Sequence, residues 1–280
     1  MKSVYKIPQK IKCLTDERKR KSIPLFNIVM PVLLFLMLQY ESFHTIFSAP
    51  ESMSKRLKNC LSRKKHTGET EYFYRSVVCM IIGKSPHVIL GQEMLKPRDG
   101  SGKDEGELTG GKRLIEQLKK RHGHFADVIV ADALYLNAPF INTLKENGLE
   151  GCPYKLRVVR YHEQWEENGK ETERFMWLVT TLEAADYRVL WEMMHRRWDI
   201  EENGFHQLKT YYHAKHCYCR DAVETIFNLI IIGFNVRELY LYRRSRNFAG
   251  SGISRKSINR IFCDELLTEK VKQILYEKGG

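Results

Sequence analysis

Phe125-Ala126-Asp127-Val128-Ile129-Val130-Ala131-Asp132-Ala133-Leu134-Tyr135 is the stretch whose reading decides the fold class. Its β-branched run, Val128 to Val130, has the pattern of a short strand covered on both faces. Asp132 closes that strand. Asn137 and Pro139 then open a helix over residues 140–147, which Gly148 stops. A buried strand feeding a helix points to an α/β fold. Ligands in open α/β sheets collect outside the carboxyl ends of strands, so Asp132 is a candidate metal-binding or catalytic residue. The alternative is an aspartate that caps a turn.

Elements upstream fit the same class. Residues 71–82 are rich in aromatic and β-branched side chains and read as a strand. Gly83-Lys84-Ser85-Pro86 is a turn signal, and residues 87–95 read as a second strand. A loop over 97–106 precedes a helix over 107–121 with Leu114, Ile115 and Leu118 on its apolar side. Downstream, residues 154–161 and 173–182 read as strands joined across Asn168-Gly169, a hairpin signal.

A second acid lies in Arg197-Trp198-Asp199-Ile200-Glu201-Glu202-Asn203-Gly204-Phe205-His206-Gln207-Leu208-Lys209. At about 100° per residue, Trp191, Met194, Trp198, Phe205, Leu208 and Tyr212 share one helix face. Glu201 falls inside that stripe and Glu202 about a quarter turn away. A carboxylate among apolar side chains needs a charged partner, either a metal ion or a cation such as Arg197 one turn back.

Asp132, Glu201, Arg197 and Lys209 together resemble the DDE transposases of bacterial insertion sequences, in the group with a Tyr-Arg-Glu-Lys signature around the last acid. Met194 stands where the signature tyrosine would be. Similar transposases read Arg-Trp-Asp-Ile-Glu-Asn-Asn-Gly-Phe, which favours Glu201, whereas the spacing to Lys209 fits better from Glu202. The resemblance runs from Tyr72 to Arg244. It implies a ribonuclease H-like core, a mixed sheet flanked by helices. In such a core three acids hold two divalent ions, Mg²⁺ or Mn²⁺, for phosphodiester cleavage and strand transfer. Asp132 and Glu201 would be ligands, and Arg197 and Lys209 would hold phosphates or orient Glu201. The implied partner is double-stranded DNA, both transposon ends and target, bound by a homodimer.

The first acid of that family, on the central first strand, has no counterpart. Related transposases carry Asp-Gly-x-Glu and then Ser, but Ser48 and Ala49 stand before Glu51 and Ser54 here. No aspartate occurs between Asp16 and Asp99. Asp99 and Asp104 fall in the loop past the third strand, and Asp127 at the far end of the Asp132 strand. The expectation is an internal deletion that removed the first strand and left the chain defective in strand transfer.

The net charge of +12 across 280 residues suits a polyanionic partner. Lys55, Arg56, Lys58, Arg63, Lys64 and Lys65 cluster just before Tyr72, Phe73 and Tyr74, a pattern for phosphate contact or for a solvated linker. Seven cysteines without the spacing of a secreted scaffold point to a reducing cytoplasm. His213, His216, Cys217 and Cys219 lack the second ligand cluster a zinc site needs, so a structural or DNA-contacting role is expected there. The apolar run 28–38 is short for a membrane span and contains Pro31, so a buried helix is expected rather than a membrane anchor.

The expected organisation is a helical N-terminal remnant over 1–50, a ribonuclease H-like domain over 51–245 with a β-hairpin insertion at 158–182, and a linker and tail over 246–280. Arg157, Arg160 and Trp165 on the insertion are placed either to meet DNA ends or to pack on the core. Three readings stay open: a DDE transposase without its first aspartate, a non-catalytic DNA-binding remnant, and a small basic membrane-associated protein.

Overall fold

The computed structural model describes residues 6–16, 23–38, 60–97, 104–149, 156–215, 222–247 and 252–266. Lys55, Arg56, Lys58, Glu51, Ser54, His216, Cys217 and Cys219 lie outside the described residues. In chain order the elements are α1 (Ile7–Lys12), α2 (Leu25–Leu38), β1 (Leu61–Lys64), β2 (Thr70–Phe73), β3 (Ser76–Met80), β4 (Ile89–Met94) and α3 (Glu107–His122). A 3-10 turn (Ala133–Tyr135), α4 (Ala138–Glu146), β5 (Arg157–Glu167), β6 (Lys170–Thr180) and α5 (Tyr187–Arg196) follow. A π-helical turn (Ile200–His206), α6 (Gln207–Thr210), α7 (Val223–Asn247) and α8 (Arg255–Leu266) complete the series.

These elements form two compact units. The described parts of one are residues 60–84, 89–97, 104–149 and 156–205; the rest belong to the other. In the first unit α3 lies on the β3–β4 ladder. Its Leu114 and Leu118 press so closely on Gly91 that a Cβ there would stand 3.3 and 3.1 Å from them. Arg113 locks the same helix to β4 by pairing with Glu93 at 2.8 Å and with the buried Glu105. The other face of α3 meets the turn and α4 through Ile115, Phe140 and Leu149, with Phe125, Ile129, Tyr135 and Leu144 packed around them.

The hairpin β5–β6 pairs Arg157 with Thr180 through to Glu167 with Lys170. Asn168 and Gly169 adopt φ of 52° and 74°, the left-handed pair that a two-residue turn between twisted strands requires. The hairpin therefore forms where the Asn-Gly signal placed it, spanning 157–180.

In the second unit α2 packs along α7 and α8. Leu33, Met37, Val236, Tyr240, Leu241, Ile258 and Phe262 are buried together. Gly233 lets the α2 backbone approach, with Leu36 Cβ 3.3 Å from where its own Cβ would be. The apolar N-terminal run is thus core here, and no helix among the described residues is long and apolar enough to cross a membrane.

Three expectations are corrected. First, residues 128–130 are not a strand: they form no ladder, and Val128 is exposed. A strand covered on both faces needs partners for its backbone, and none is present among the described residues. The β content is accordingly three separate two-stranded antiparallel ladders, and the described residues assemble no mixed sheet. Second, the single strand over 71–82 divides at Tyr74 and Arg75, because β2 pairs back with β1 while β3 pairs forward with β4. Third, the helix through Glu201 is interrupted after Arg196 and continues as a π turn.

Candidate functional site

Asp132 sits at the N-cap of the 3-10 turn, where its Oδ1 accepts from the Leu134 amide at 3.0 Å. The turn-capping alternative is thus realised, and the carboxylate is exposed. Tyr135, three residues on, packs edge-on against Phe140 at 4.9 Å between ring centres. Burial pushes its phenol up to about 12, helped by the charges of Glu107 and Asp132. The turn's position is fixed by Gly111 on α3, since any Cβ there would meet Tyr135 Cε1 at 2.9 Å.

Glu201 lies in the π turn. Arg197 Nη1 donates to its Oε1 at 2.9 Å, and the guanidinium also covers the Trp198 ring at 4.5 Å. Glu202 is exposed. In a π turn each residue rotates the chain less than in an α-helix, so the stripe read at the α-helical angle loses register. Trp191 and Trp198 are exposed, and Leu208 and Tyr212 are buried. The Glu201 side chain keeps 41% of its surface, which is the half-open pairing with Arg197 rather than a carboxylate enclosed by apolar groups.

Two contacts tie this turn to the end of β3. The Gly83 amide donates to Asp199 Oδ2 at 2.8 Å. Gly204 is buried beneath Met80, whose Sδ lies 2.9 Å from the position a Cβ would take. The Asn-Gly pair inside a helical pattern is the sequence signal for that close approach.

A third support was not legible in the sequence. Glu163 on β5 accepts from Arg174 Nη2 at 2.8 Å and Trp191 Nε1 at 2.6 Å, and pairs with His195 Nε2 at 2.9 Å. Burial raises its carboxyl, but the Arg174 and Trp191 hydrogen bonds and the His195 and Arg174 charges outweigh this and hold it below the ordinary range. The hairpin thereby clamps α5, the helix that leads into Arg197 and Glu201. Tyr161 adds a bond from its hydroxyl to the Tyr187 carbonyl at 2.8 Å.

The basic cluster is structured where it is described. Arg63 and Lys64 lie on β1 and Lys65 at its turn, all exposed. Arg63 pairs with Glu71 at 2.6 Å and lies 5.4 Å from the Phe73 ring centre. That pairing lowers the Glu71 carboxyl. Lys209 is exposed on α6 and belongs to the other compact unit. Of the residues expected at the site, Arg197 and Glu201 are joined directly. Asp132 shares their unit but hangs from α3, on the turn that packs over Gly111.

A family model described as a transposase DDE domain matches residues 54–236. The chain belongs to this transposase family. No curated protein and no solved structure gives a match. The matched region includes Asp132, Arg197, Glu201 and Lys209, and it begins after Ser48 and Ala49.

DDE transposases generally use divalent metals such as Mg²⁺. Among the described residues, the acids of this transposase-family chain do not fit a two-ion centre. Asp132 is engaged with a turn amide and Glu201 with a guanidinium. Among the described residues no three His, Cys, Asp or Glu side chains converge as ligands. No aspartate occurs between Asp16 and Asp99.

Proposed function

We propose that this chain is a DNA-engaging transposase-family protein that does not complete cleavage or strand transfer. The observation that carries the proposal is the pairing of Glu201 with Arg197 in a chain without an aspartate between Asp16 and Asp99. A carboxylate held by a guanidinium at 2.9 Å needs a competing charge to release it. In this reading an ancestral ribonuclease H-like sheet lost its first strand by internal deletion. Glu201, rather than Glu202, descends from the last acid of the Tyr-Arg-Glu-Lys type signature, and Asp132 from the second. The exposure of Val128 supports the deletion, since the strand that would cover it is the one missing.

The DNA-binding residues in this reading are Lys55, Arg56, Lys58, Arg63, Lys64 and Lys65, together with Arg197 and Lys209. Exposure of Arg63, Lys64 and Lys65 on one hairpin supports phosphate contact. Binding to insertion-sequence ends and to target DNA, as a homodimer in the cytoplasm, belongs to the same proposal.

The test is fluorescence anisotropy of labelled double-stranded DNA across a salt series. The combined variant Arg63→Glu, Lys64→Glu, Lys65→Glu should lower the slope of log affinity against log salt by about 2 to 3, near 0.9 per lost phosphate contact. Absence of binding by the unmodified chain at low salt would refute DNA engagement. Appearance of nicked DNA with Mn²⁺, abolished by Asp132→Asn, would refute the loss of chemistry.

A further inference from the structure

The β5–β6 hairpin uses one face to hold α5, through the buried Val159, the Tyr161 hydroxyl and Glu163. Strand side chains alternate between faces, so the opposite face carries the cross-strand pairs Arg160 with Trp177 and His162 with Phe175. That face is open. Trp177 keeps 67% of its surface, Val158 57% and Phe175 47%. The Arg160 guanidinium lies 4.3 Å from the Phe175 ring centre and 5.5 Å from that of Trp177. Yet Arg160 makes no hydrogen bond or ion pair among the described residues. The other arginines of the hairpin are engaged: Arg157 donates to the Ala185 carbonyl at 2.6 Å, and Arg174 pairs with Glu163. Arg160 is thus held against two rings with its donors left for a ligand, and the ring contacts meet part of the cost of ordering it. Exposed Trp beside Arg is the composition of a binding hot spot.

The charges around Arg160 say which anion fits. Residues 157–180 carry four Lys and Arg against five Glu, a net −1 in a chain of net +12. On the open face, past the His162–Glu173 pair at 2.8 Å, Glu166 and Glu171 stand opposite each other near the turn. A nucleic-acid strand, with a phosphate on every nucleotide, would run onto those carboxylates. A ligand with one carboxylate between apolar groups would not. We propose that this face docks an extended segment of a partner protein. The segment presents one acidic side chain to Arg160, apolar side chains on either side of it to Val158 and Phe175, and a basic side chain to Glu166 and Glu171. In an extended chain alternate residues share a face, so the apolar residues lie two positions before and two after the acid. The inference does not rest on DNA engagement and survives if that reading fails.

The test uses the full chain and a fluorescein-labelled probe peptide. The probe has leucine, glutamate, phenylalanine and lysine at its first, third, fifth and ninth positions, with serine between them. Anisotropy should show saturable binding with Kd below about 1 mM. Trp177→Ala and Arg160→Gln should each weaken it at least about tenfold, with unchanged circular dichroism, because both side chains lie on the open face. Arg160→Glu should lose this probe and bind one carrying lysine in place of its glutamate, a swap that misfolding cannot produce. No saturation by the unmodified chain up to about 1 mM would overturn the proposal. So would binding indifferent to Trp177→Ala, or failure of the charge swap. Displacement of the probe by single-stranded or duplex DNA would also overturn it and would assign the face to nucleic acid.

Discussion

Glu163→Ala should loosen the helix that leads into Glu201 without touching the core. The carboxylate takes hydrogen bonds from Arg174 and Trp191 and pairs with His195, and only 16% of its side chain is exposed. A hydrogen bond to a charged group contributes about 1.5–3 kcal/mol. Arg174 retains 45% of its side-chain surface and His195 30%, so both regain water when Glu163 is removed. The net loss is then about 2 kcal/mol, the worth of one such bond rather than three. For a unit of this size that corresponds to a fall in melting temperature of about 4–8 °C. All four tryptophans, Trp165, Trp177, Trp191 and Trp198, lie on the hairpin, on α5 or next to the π turn. Tryptophan fluorescence therefore follows this region directly. A variant melting within about 1 °C of the parent would show that the Glu163 contacts carry no net stability, and the clamp argument would fail.

The same group gives a pH dependence. Its folded carboxyl titrates below the ordinary range, so the stabilisation is present above the unfolded value of about 4.5 and is lost as pH falls through the folded one. The melting difference between parent and Glu163→Gln should hold from pH 5 to 7 and shrink toward zero as the pH falls well below about 4. Gly111→Ala puts a methyl 2.9 Å from the Tyr135 ring and should cost about 1–3 kcal/mol in urea titration, since an aromatic ring cannot fold aside. Gly204→Ala meets the flexible end of Met80 and should cost about 1 kcal/mol. Its cost should fall in a Met80→Ala background, and a double-mutant cycle with no coupling would refute that contact.

Much of the local structure is written in short-range pattern. The helix over 107–121 appears as α3 one residue longer, and Asn168-Gly169 fixes the β5–β6 turn. Both are local signals, a helical apolar stripe and a left-handed turn pair. Residues 128–130 fail because strand sequence is necessary for a strand but does not supply its neighbour. The π turn escaped because helical periodicity assumes a constant angle, and Gly204 under Met80 is a tertiary demand. Arg197 against Glu201 was one of two readings open in the sequence, and the geometry takes it. Glu163 had no signal, since its partners come from β6 and α5, 11 to 32 residues away along the chain.

The central claim is that the surviving acids no longer gather divalent ions. The direct measurement is a thermal melt of the full chain with and without Mn²⁺, beside Asp132→Asn. A site saturated a hundredfold would add about 2.7 kcal/mol. The account predicts transitions that Mn²⁺ leaves in place in both proteins. A transition raised by Mn²⁺ in the unmodified chain alone would contradict it, and would mean that Asp132 still binds metal.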